Sequence, residues 1–106
     1  MKTIRFLLEY SCLPIWIYDE NGDPCGPMIP DELIDDHELV SLVHKISEEY
    51  DALFENTETI FQYIGFTSDR EKQEFFDSVE RVIDITENKV GALYYIKNDI
   101  DINEFN

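Results

Sequence analysis

The sequence predicts an α+β fold, a small mixed or antiparallel sheet covered by two amphipathic helices. Three features point there. The first 30 residues alternate apolar and polar side chains or run β-branched and aromatic, as strands do. Two later stretches repeat apolar residues every three or four positions behind acidic or serine caps, as amphipathic helices do. Shorter apolar runs stand between and after them.

Ile4, Phe6, Leu8 and Tyr10 alternate with Thr3, Arg5, Leu7 and Glu9, a period-two pattern broken only by Leu7. Ile4, Leu7 and Leu8 also fit helical spacing. Ile15-Trp16-Ile17-Tyr18 reads as a strand, and because both of its faces are apolar it is expected to be central, with Trp16 in the core. Exposed, Trp16 and Tyr18 would instead resemble interface anchors. Asn21-Gly22 tolerates the positive φ angles of a tight hairpin turn. Pro24, Pro27 and Pro30 restrict the next segment to a short edge strand or a loop.

A helix is expected next. Asp35 or Asp36 caps it, with Glu38 three residues after Asp35 as in a capping box. Leu39, Val43, Ile46, Tyr50 and Leu53 form its inner stripe, widened by Leu42 and Phe54, and it should end near Phe54. Glu55-Asn56-Thr57 then reads as a turn and Thr59–Ile64 as a strand bounded by Gly65. Ser68-Asp69-Arg70-Glu71 is a capping box opening a second helix, with Phe75, Phe76, Val79, Val82, Ile83 and Thr86 on one side and Gly91 as its stop. Ala92–Lys97 fits a final strand or a continued helix, the strand being favoured. Residues 1–97 are thus read as a single domain and 98–106 as a polar, frayed tail.

Composition narrows the function. The 106 residues carry 24 Asp+Glu against 8 Lys+Arg, a formal net charge of −16. That charge argues against direct binding to nucleic acid or an anionic bilayer. An apolar fraction of 43% is nonetheless that of a folded domain and not of a disordered acidic tail. No run approaches the 18 or so apolar residues of a membrane span. Glu9 interrupts the early apolar stretch with no small-residue cleavage site after it, so a cytoplasmic protein with Cys12 and Cys25 as free thiols is expected.

No chemistry-bearing motif stands out. Asp19–Asp23 offers oxygens at alternate positions, but Pro24 and Pro30 occupy the places where a calcium loop needs Gly and a bidentate Glu, so it reads as a turn. His37 and His44 lie on one helix roughly 10 Å apart, too far to share a zinc ion. Cys25 has no flanking cation to lower its pKa, and neither a phosphate loop nor a nucleophile motif is present. No cofactor, metal or catalytic residue is therefore expected, and the protein is read as non-enzymatic.

The placement of the acid is more informative. Asp77, Glu80, Asp84 and Glu87 follow at +3, +4 and +3 on the second helix, opposite its apolar side. Each neighbouring like-charged pair costs about 0.2–0.5 kcal/mol, relieved only by Arg81. A solvated face more commonly interleaves lysines. Asp35, Asp36 and Glu38 gather at the start of the first helix. These seven residues are the candidate partner-binding set, and the partner they fit is a basic protein. A nucleic-acid mimic needs denser charge: 24 acids spread over about 6,000 Å² give roughly one per 250 Å², against about one per 100 Å² on duplex DNA.

Pro14–Gly22, Glu48–Phe54 and Gly65–Lys72 resemble segments of small acidic proteins of Gram-positive bacteria that often lie beside polymorphic toxins and resemble their immunity partners. The resemblance spans roughly residues 4 to 83 and rests on fold-forming residues, so it carries no binding site with it. It implies a cytosolic inhibitor whose partner is a toxin domain. The alternatives are a DNA-mimic inhibitor of a DNA-binding enzyme and a soluble acidic domain with no charge-directed target.

Overall fold

The computed structural model describes residues 1–105. Its main sheet has four strands in the order β3-β2-β1-β6: β1 (Lys2–Phe6), β2 (Ile15–Tyr18), β3 (Pro24–Pro27) and β6 (Tyr94–Asn98). β1 pairs antiparallel with β2 and parallel with β6, so the sheet is mixed. Two helices, α1 (His37–Asp51) and α2 (Asp69–Val90), complete the α+β fold. A separate hairpin of β4 (Phe54–Asn56) and β5 (Phe61–Tyr63) leads from α1 to α2.

Alternation in β1 sets the inside of the molecule. Ile4 and Phe6 are buried while Thr3 and Arg5 point the other way, and in β2 Ile15 and Ile17 are the inward pair. Leu39, Val43 and Ile46 of α1 and Phe75, Phe76, Val79, Val82 and Val90 of α2 meet Ile4, Phe6 and Ile15 in one core. Ser78 is buried too, because it faces α1: Lys45 Nζ donates to its Oγ at 3.2 Å while that hydroxyl donates back to the Glu74 carbonyl at 3.1 Å.

Several expectations need correction. Trp16 is half-buried and outside the core, since both helices lie on one face of the sheet and its parity puts it on the other. Its indole N–H donates to the Leu7 carbonyl at 3.3 Å. Asp36 and not Asp35 is the α1 cap, its carboxylate accepting from Leu39 N at 3.0 Å. The capping box at Asp35 and Glu38 is therefore absent, because Leu39 occupies the reciprocal position. α1 stops at Asp51, and Phe54 passes into β4. The expected turn at Glu55–Thr57 moves to Thr57–Ile60, where Thr57 Oγ1 accepts from Ile60 N at 3.0 Å. The expected strand Thr59–Ile64 shortens to Phe61–Tyr63 and pairs with β4 outside the main sheet.

Other local signals act where the sequence places them, with changes in detail. Asp19 Oδ1 accepts from Asn21 N and Asp23 N, both at 2.9 Å, and Gly22 takes φ +85°, so the β2–β3 turn is built on the Asn-Gly pair. Ser68 caps α2 by accepting from Glu71 N at 3.1 Å, while the Glu71 carboxylate accepts from Thr67 Oγ1. Gly91 closes α2 without the usual left-handed turn. Its backbone is right-handed, and a Cβ there would fall 2.4 Å from the Glu87 carbonyl oxygen. Ala92–Lys97 resolves as strand from Tyr94.

The segment expected to fray is tied down over its described part. Asp99 N donates to the Phe6 carbonyl, Arg5 Nε donates to Asp99 Oδ2 at 2.5 Å, and Ile100 and Phe105 pack on the core. Asn106 lies outside the described residues.

Core and open face should respond differently to truncation. Phe75→Ala removes a ring with no exposure, packed against Phe66 and Phe76, and is expected to cost about 3–5 kcal/mol. Tyr95→Ala, on the uncovered face, is expected to change stability by less than about 0.5 kcal/mol. Urea denaturation of both variants checks the pair.

Candidate partner-binding surface

α2 is long enough to carry an acidic face of its own. Asp77, Glu80, Asp84 and Glu87 span eleven residues, roughly 15 Å of helix axis, and all four are exposed. The inward arc around Phe75, Val79 and Val82 fixes this outward direction. Among the described residues, none of the four is in an ion pair. Asp77 accepts from Gln73 Nε2 at 2.9 Å.

Arg81, expected to relieve Asp77 and Asp84, turns away from them. Its Nε and Nη2 each donate to one carboxylate oxygen of Glu38 at 2.9 Å, a forked bond from α2 to the first turn of α1. Glu38 raises the Arg81 pKa most, and Asp84 contributes less. Exposed on both sides, this pair contributes little stability; its consequence is to leave the acidic row uncompensated. In the last turn of the same helix, Lys89 Nζ lies 2.5 Å from Asp36 Oδ2. Lys89, followed by the Leu39 amide, holds the Asp36 carboxyl below the usual carboxylate range, and Arg81 does the same for Glu38.

The seven candidates therefore divide by role. Asp36 and Glu38 are engaged within the fold, Asp36 as a cap and ion-pair partner and Glu38 as the acceptor for Arg81. Asp35 is exposed beside them. The α2 row is exposed and free of internal cations. What sequence reasoning missed are Arg81 and Lys89, which join the two acidic regions across separations of 43 and 53 residues. No local spacing signals such a contact.

The same economy holds elsewhere. Six of the eight basic side chains, Arg5, Lys45, Arg70, Arg81, Lys89 and Lys97, form ion pairs within the described residues, and Lys72 Nζ donates to the Phe105 carbonyl at 2.8 Å. Glu32, near the start of α1, accepts from Tyr94 Oη at 2.9 and 3.1 Å. Burial, and then this bond, pushes the Tyr94 phenol up to about 12. Both cysteines are free thiols, and no set of three or more potential metal ligands gathers among the described residues. No helix there is long and apolar enough to cross a membrane.

The seam between the helices should be acid-sensitive. Its two carboxyls have lowered pKa values, so their stabilisation is complete above the ordinary carboxylate range and is lost as pH falls through the native values. The stability difference between wild type and Asp36→Asn/Glu38→Gln should be full at neutral pH and close below about pH 4. Urea midpoints measured across pH check this.

A profile described as Serratia CdiI immunity protein-like matches residues 2–98. No curated protein matches the chain. The matched span takes in the whole main sheet, both helices and the hairpin, and is wider than the 4–83 resemblance to Gram-positive proteins; immunity character is what the two share. With nearly its whole length covered, the chain belongs to the Serratia CdiI immunity protein-like family.

Proposed function

We propose that the protein is a non-enzymatic inhibitor of a basic toxin domain, acting in the cytoplasm by covering that domain's working surface. Membership of an immunity-like family supports the class of partner. One observation carries the charge argument. The acidic row of α2 is exposed and unneutralised, while the one cation within its span is held by the neighbouring helix. A field of one sign draws an oppositely charged partner and raises the rate of encounter. Asp77, Glu80, Asp84 and Glu87 steer that encounter, with Asp35 at the rim. Asp36 and Glu38 contribute to the field while holding the two helices in register.

Mimicry of nucleic acid has less support. With 24 carboxylates on 6625 Å² of surface, the mean density is roughly one per 280 Å², well under half the duplex value. Asp77, Glu80, Asp84 and Glu87 form a single row of four, too short to trace the phosphates of a duplex. Competition with duplex DNA for a DNA-binding enzyme would reveal that activity.

The test uses the C-terminal domain encoded by the reading frame immediately upstream of this gene. Asp77→Lys/Glu80→Lys/Asp84→Lys is expected to slow association with it about tenfold at low ionic strength and to flatten the salt dependence. Stopped-flow measurement at two salt concentrations reads both quantities. An unchanged on-rate removes the α2 row from the interface, and a wild-type protein that neither binds nor neutralises that domain removes the inhibitor reading.

A further inference from the structure

Residues 46–69 contain six carboxylates, those of Glu48, Glu49, Asp51, Glu55, Glu58 and Asp69, and no Lys, Arg or His. The β4–β5 hairpin lies inside this stretch. Four of the ten large apolar side chains exposed in the described structure, Ile60, Phe61, Tyr63 and Ile64, fall within five consecutive residues of it. Their exposure follows from topology. β4 and β5 pair only with each other, so the main sheet does not shelter them.

The apolar residues are ordered by the hairpin itself. Register sets Phe54 opposite Tyr63 and Asn56 opposite Phe61, which gathers the rings on one face. Phe54 and Phe61 stack with centroids 5.3 Å apart, and Tyr10 stands edge-on to Phe61 at 4.8 Å. Asn56 Nδ2 donates to Tyr10 Oη at 3.2 Å and links the hairpin to the segment after β1. By parity Ile60, Gln62 and Ile64 take the opposite face, where Gln62 Nε2 donates to Glu55 Oε2 at 2.6 Å. Despite this packing Phe61 is 55% and Ile64 59% exposed. Aromatic rings held by their neighbours lose little further freedom on docking, which is the character of interface anchors.

We propose that the β4–β5 hairpin is the anchor through which the protein grips a cationic toxin domain. The hairpin enters a cleft of that domain, so that Phe61 and Tyr63 bury on one face and Ile60 and Ile64 on the other, while Glu55 and Glu58 at its margins receive Lys or Arg side chains. The inference rests on the inhibitor reading and deepens it by separating two roles: the α2 row steers, the hairpin holds. The cationic nature of the occupant follows from charge complementarity. A neutral partner would desolvate the surrounding carboxylates without pairing them, and a second copy of this chain would bring another −16 against the first.

The same upstream-encoded domain is the probe, its binding to the full-length protein followed by interferometry. Phe61→Ala and Ile60→Ser/Ile64→Ser are each expected to raise Kd about thirtyfold or more, chiefly through faster dissociation. Tyr95→Ala, on the open face of the main sheet, should leave Kd within about threefold. Circular dichroism confirms folding, and since Ile60 and Ile64 lie outside the ring cluster, their variant decides the matter if Phe61→Ala does not fold. Folded hairpin variants that bind within about threefold of wild type overturn the anchor and leave the inhibitor reading standing. Absence of binding by wild type overturns both. A wild-type dimer in sedimentation that dissociates in Ile60→Ser/Ile64→Ser assigns the patch to a second copy and overturns the anchor alone.

Discussion

Ile4 and Phe6 of the interior strand β1 have one apolar layer to bury against, and both helices supply it from the same side. Two helices that share one core must lie next to each other, so the first turn of α1 comes against the second half of α2. That adjacency decides where the few cations go. Arg81 and Lys89 point across the seam to Glu38 and Asp36, and among the described residues no cation pairs with Asp77, Glu80, Asp84 or Glu87. The surface chemistry of the molecule is thus a consequence of how its core is shared.

One-sided covering also explains the other face. Arg5, Trp16, Tyr18 and Tyr95 stand on sheet positions that no helix reaches. Arg5 is bonded there to Asp99 and to Tyr18 Oη, so its charge is held locally. A chain with a net charge of −16 therefore has two unlike sides: an open sheet whose Arg5 and Lys97 are paired with Asp99, and a helical side whose row Asp77, Glu80, Asp84 and Glu87 has no cation partner among the described residues. An inhibitor of a basic domain needs only the second to face its target.

In the proposed reading exposed acid governs encounter and packed apolar surface governs persistence, and the two lie on different elements. The α2 row carries no apolar side chain of its own to bury. The hairpin is flanked by carboxylates but owes its shape to stacked rings. Such a division lets charge set the rate of approach without requiring fully desolvated ion pairs, whose formation is costly.

Much of the fold was legible from local pattern. Strand parity in Ile15–Tyr18, the Asn21-Gly22 turn, the Ser68 cap and the apolar stripes of both helices act through neighbours within a few residues, so sequence spacing alone specifies them. It also specified the total charge and the outward direction of Asp77, Glu80, Asp84 and Glu87. Which face of the sheet the helices would cover, and so the half-exposure of Trp16, required the tertiary structure. So did the choice of Asp36 over Asp35 as cap, the detachment of β4 and β5 from the main sheet, and the capture of Arg81 by Glu38. These outcomes turn on how whole elements pack together and on pairs such as Arg81–Glu38, 43 residues apart, which local spacing does not encode.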